Sequence, residues 1–177
     1  MRGRGSRRSD IQIRSRTCNR RSKLGSIRTG KIVLTRVTFG SGMNEGPVWA
    51  PDGKHIAFAS NRDGRWRTYW VRSDGLGEVL PLTGRDHPIY PSSFSPDGRW
   101  LAVTEVSLRT SADVSMVPLQ NPASDKPGAG RTQPFLNAQY LEQSARFSPD
   151  GHWVAYVSSE QTNGEVYVRA FPDRGSK

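Results

Sequence analysis

The chain has 177 residues, 34% hydrophobic and 24% charged, with 26 Lys and Arg against 16 Asp and Glu and a formal net charge of +10. Cys18 is the sole cysteine, which excludes an intrachain disulfide and fits any compartment. No run approaches the ~18 apolar residues of a membrane helix, and no apolar signal-peptide core follows the basic start.

The charge is unevenly placed. Residues 1–31 hold nine Arg and two Lys against one Asp, whereas residues 32–177 carry 15 charges of each sign. Residues 1–30, with scattered aliphatics and no aromatic, are expected to be a disordered basic tail. Its arginines suit phosphate neutralisation, so nucleic-acid binding through the tail is one candidate function. The absence of stacking aromatics counts against it. A solvated tail, a transit-like leader or a start foreign to the folded part are the plainer readings.

Residues 31–39, "KIVLTRVTF", read as an orphan outer strand. A repeat then begins. "WAPDGKHIAF" (49–58), "FSPDGRWLAV" (94–103) and "FSPDGHWVAY" (147–156) lie 45 and 53 residues apart. Periods of this size mark repeat architectures. Pro51, Pro96 and Pro149 preset φ for the second position of a type I turn. Asp52, Asp97 and Asp150 bond the nearby backbone, and Gly53, Gly98 and Gly151 supply the left-handed residue of a bulged three-residue hairpin.

An alanine holds the same place in each strand that follows the turn, which predicts close packing against a neighbouring sheet. "RTYWVRSDG" (67–75) and "EVYVRAF" (165–171) read as third strands, and "EVLPLT" (78–83) and "RTQPFL" (131–136) as outer ones. The extra residues of the second repeat fall in "QNPASDKPGAG" (120–130), which has the composition of a surface loop. The expected fold is all-β: a partial β-propeller over 31–177, with four-stranded antiparallel blades at 46–83 and 91–136 and an incomplete one at 143–171.

The pattern aromatic-Ser-Pro-Asp-Gly, then Asn-x-Asp-Gly, then a Val-Tyr-Val strand resembles the TolB-like, WD-repeat-like propeller repeats of bacteria. The run "LTRVTFGSGMNEGPVWAPDGKHIAFASNRDG" and the ending "GEVYVRAFPDRGSK" resemble, more narrowly, the propellers appended to bacterial serine/threonine protein kinases. The resemblance implies a scaffold for protein contacts or a sensor module. It also implies relatives that are often periplasmic, although this sequence shows no export signal. Similar propellers gate prolyl-oligopeptidase-type peptidases, so a remnant of such an enzyme or of a kinase, without activity of its own, is an alternative. Such repeats identify a fold well and a partner poorly.

No Gly-x-Ser-x-Gly elbow, Walker loop, His-Glu-x-x-His or kinase motif is present, so neither catalysis nor a cofactor is expected. The turn aspartates are explained without a metal, and none is expected. His55 and His152 follow a turn, where a partly exposed histidine is ordinary. The expected contact surface is the set of loops entering each blade and the turns beside them: Asn44, Glu45, Arg62, Arg65, His87, Tyr90, Arg109, Tyr140 and Glu142. A protein partner is expected there. Uncovered blade faces at the two open ends predict a head-to-tail homodimer closing a six-bladed ring, with residues 32–38 adding a strand to the partner's third blade.

Overall fold

The structure, a computed structural model, describes residues 25–28, 31–84, 87–106, 111–161 and 164–172, with backbone alone for 25–28 and 31–33. Every element among them is a strand.

β1 (Gly25–Arg28) and β2 (Lys31–Arg36) form a two-stranded antiparallel ribbon. The ribbon is a sheet of its own, so β2 pairs with none of the blade strands. The first blade is β3 (Asn44–Trp49), β4 (His55–Ser60), β5 (Arg67–Arg72) and β6 (Leu80–Pro81), paired in that order. The second is β7 (Ile89–Phe94), β8 (Trp100–Glu105) and β9 (Asp113–Gln120). Two short strands share the outer edge of β9: β10 (Gly128–Ala129) and β11 (Gln133–Leu136). The third sheet is β12 (Glu142–Phe147), β13 (Trp153–Ser158) and β14 (Glu165–Ala170).

Local chemistry builds the hairpins. Gly53, Gly98 and Gly151 have φ of 64°, 72° and 74°, where a side chain would be strained. Each glycine N–H closes a turn on the residue three before it, at 2.9–3.0 Å. One oxygen of each aspartate accepts the N–H two residues on: Lys54 at 2.8 Å, Arg99 at 3.0 Å and His152 at 3.0 Å.

The sheets stack face to face. Ala57 and Trp70 of the first blade meet Leu101, Val103 and Val117 of the second in one buried cluster. The opposite face of the second, with Ala102, Val114 and Met116, meets Ala145 and Val154 of the third. The inner strands β3, β7 and β12 are neighbours in turn. The outward face of the first blade (Ile56, Phe58, Tyr69 and Val71) is already covered by Val37, with Val79 packed against it. A head-to-tail ring would have to displace that cover. The outward face of the third blade is open, with Val166 73% and Val168 62% exposed.

One sequence expectation is corrected at the joint between the first two blades. His55 is buried, 2% exposed, because it lies flat on Trp70 with ring centroids 4.8 Å apart. Residues 120–130 are the expected surface loop, none of them buried, and they also bind the first blade. Their Ser124 carbonyl accepts from Trp70 Nε1 at 3.2 Å, and Asp125 reaches His55 Nε2 at 2.9 Å and Arg72 Nη1 at 3.0 Å. The insertion in the second blade is a clasp onto the first.

Candidate binding site at the entry end of the inner strands

Antiparallel pairing sorts the connections onto two ends. The Pro-Asp-Gly turns occupy one. The loops that enter β3, β7 and β12 occupy the other, with the turns that link each second strand to its third. All the expected contact residues among the described ones lie at this entry end, but they are not gathered into one site. Arg109 lies outside the described residues, as does the tail through residue 24.

Arg62 is committed to packing. Its guanidinium lies 4.9 Å from the centre of the Tyr69 ring and 5.3 Å from that of Phe58, and donates to Asn44 Oδ1 at 3.0 Å. Burial lowers the Arg62 pKa, and Tyr69 and Asp63 oppose the shift. Glu45, Arg65, His87 and Tyr140 are exposed. Tyr90 is half-buried against Trp66, at 5.6 Å between rings. Burial, and then the charge of Glu45, push the Tyr90 hydroxyl up.

Glu142 is 5% exposed, and its Oε2 has no hydrogen-bond partner among the described residues. Burial pushes its carboxyl up, with Asp113 and Glu160 adding to the shift and the Ala138 N–H and Arg169 opposing it. Burial likewise raises Glu105, against the pull of His87. No group of three or more potential metal ligands occurs among the described residues.

These acids set a pH profile. Asp74 is held down to about 2 by the Arg72 side chain and the Leu76 N–H, and Asp150 to about 2 by the Ser148 hydroxyl and the His152 N–H. Bonds from His55 and Arg72 lower Asp125. For Asp52 and Asp97 burial pushes upward, but hydrogen bonds outweigh it and leave both lowered. Depressed acids stabilise the fold above the unfolded value of about 4, and that contribution is lost as the pH falls through the folded values. Glu105 and Glu142 act with the opposite sign, and their cost sets in as the pH rises above about 4.5. The melting temperature is therefore expected to peak near pH 5. Glu142→Gln is expected to flatten the decline on the upper side. A profile flat from about pH 2 to 7 would contradict both assignments.

One concavity does form at this end. A pocket of about 330 Å³ opens at the joint of the second and third blades, lined by Tyr90, Ser92, Thr104, Gln143, Ser144 and Arg146 among others. β-bulges shape it. The register slips between Pro91 and Ser93 in β7 and between Gln143 and Arg146 in β12, as it does between Glu45 and Val48 in β3. Bulges re-aim side chains and recur near binding sites. At the same point of the repeat β3 has Gly46, with φ of 55°, and β12 has Ser144, with φ of 60°. A non-glycine residue there costs about 1–3 kcal/mol.

Of the expected residues among the described ones, only Tyr90 lines this pocket. Sequence reasoning missed Ser92, Thr104, Gln143, Ser144 and Arg146. One signal was available: Arg146 holds the repeat position of Val48 and Ser93, so a charge replaces a small or apolar residue.

No family model matches the chain. A solved structure described as putative TolB from Agrobacterium tumefaciens superposes with a TM-score of 0.67 at 19% identity, covering 83% of this chain and 50% of that one. The crystal structure of TolB from Acinetobacter baumannii gives 0.52 at 25% identity, covering 76% and 31%. The fold is a TolB-like β-propeller.

Among curated proteins the TolB-like chain is similar to the uncharacterized protein Atu1656 of Agrobacterium fabrum, 30% identical over 127 residues, which is 71% of this chain and 43% of that protein. It is also similar to the uncharacterized peptidase YuxL of Bacillus subtilis, 28% identical over 151 residues, which is 69% of this chain and 23% of that protein. It thus spans less than half the length of either curated relative. None of the four is named as a kinase.

Proposed function

We propose that this TolB-like propeller is a non-catalytic module that binds a protein partner with the entry end of its inner strands. The observation that carries the reading is the pocket at the joint of β7 and β12, where hydroxyl, amide and guanidinium groups converge on rigid strands. A histidine that activates a hydroxyl or thiol nucleophile needs a free ring nitrogen. Both ring nitrogens of buried His55 are taken by carboxylates, Asp52 at 2.7 Å and Asp125 at 2.9 Å. His87 and His152 are exposed, and neither lines the pocket. The peptidase name belongs to a relative of which this chain covers 23%.

The test is a photo-cross-linking residue placed at Gln143, in the pocket, or at Arg99, beside a turn at the opposite end. Discrete protein adducts are expected from position 143 and not from 99. Equal labelling from both, or none from 143, would overturn the reading.

A further inference from the structure

The three inner strands are repeats of one another, yet their pocket-facing chemistry differs. Val48, Ser93 and Arg146 hold one position, and only the third is charged. Arg146 Nη1 donates to the Ser92 carbonyl across the blade joint and to the Ala145 carbonyl at 3.0 Å. Those two bonds fix the plane of the guanidinium. Its Nη2 and Nε have no hydrogen-bond partner among the described residues. A guanidinium so held is a preformed two-pronged donor, and a carboxylate matches it.

The rest of the lining agrees. Tyr90, Ser92, Thr104 and Ser144 bring hydroxyls and Gln143 an amide, and among the described residues no Asp or Glu lines the pocket. Ser92 and Thr104 share one hydrogen bond of 3.3 Å, which leaves their hydroxyls with further capacity. At about 330 Å³ the space lies at the lower limit for small-ligand sites, so it suits one or two side chains rather than a dinucleotide or haem.

We infer that the pocket takes the carboxylate of an Asp or Glu side chain, presented on an extended segment of the partner protein, with Arg146 as the gripping residue. This rests on the binding end proposed above. Bidentate pairing with Arg146 supplies orientation as well as attraction, so replacement of the acid by its amide loses more than charge.

The full chain is titrated with acetyl-Ala-Ser-Glu-Ser-Ala-amide, with the same peptide carrying Gln in place of Glu, and with a free-acid form of the Gln peptide. Amide resonances report where each binds. The Glu peptide is expected to shift Thr104, Gln143, Ser144 and Arg146, with an affinity about ten-fold above that of the Gln peptide. Arg146→Gln is expected to erase the difference, and Arg146→Lys, which keeps the charge and one donor at the Ser92 carbonyl, to retain part of it. Equal affinity of the Glu and Gln peptides at these residues overturns the carboxylate assignment and leaves the binding end standing. Binding of the free-acid peptide as tightly as the Glu peptide overturns the side-chain source. Shifts at the Pro-Asp-Gly turns, or none with any peptide, overturn both the inference and the proposed binding end.

Discussion

Trp70→Ala is expected to cost about 3–5 kcal/mol of folding free energy, a large share of the roughly 5–15 kcal/mol that holds a small domain together. The indole is 1% exposed at the joint of the first two blades. It pairs across the sheet with Ala57, whose small side chain leaves room for it. It meets Phe94 edge-on at 5.9 Å and is stacked on His55. Its Nε1 donates to the Ser124 carbonyl, so the ring also anchors the clasp from the second blade. Truncation leaves a cavity between rigid sheets that cannot close over it, which places the cost toward the upper end of the range. Trp70→Phe keeps most of the packing and deletes the hydrogen bond, and is expected to cost less than half as much. Urea unfolding followed by circular dichroism measures both. A loss under about 1 kcal/mol for Trp70→Ala would show that the first two blades are not joined through this ring.

What the sequence made legible is what neighbouring residues decide. The turns at Pro51, Pro96 and Pro149 are closed by groups within a few positions of one another, so residue type and spacing predict strands on either side. The contacts that were not legible join distant parts of the chain. His55 meets Asp125 across 70 positions, Trp70 meets Ser124 across 54, and Arg146 meets Ser92 across 54. Ser, Asp and Pro in 120–130 are what a solvated loop contains, and nothing local says that this loop folds back. His55 likewise looks like His152, since both follow a Pro-Asp-Gly turn. One is buried and the other has a side chain 69% exposed, because only the first has a neighbouring blade over it. The pocket was missed for a related reason. It is made by bulges, and a bulge at Ser144 carries no glycine to announce it.

The alanine that recurs after each turn shows how far repetition in sequence fails to fix energetics. Ala57 and Ala102 are fully buried, whereas Ala155 is partly exposed. Across the sheet they face Trp70, Met116 and Val168. The first two lie under the next blade, and the third lies beside an exposed valine. Ala57→Leu and Ala102→Leu are each expected to cost about 1–3 kcal/mol, since extra methylenes in a close-packed joint force neighbouring side chains off their rotamers. The same change at Ala155 is expected to stay within about 0.5 kcal/mol, because the leucine can lie along an open face. Denaturation midpoints of the three variants test this. A cost at Ala155 equal to that at Ala102 would mean that the face with Val166 and Val168 is covered in solution. A mass twice that of the chain in the same sample would then identify the cover as a second copy.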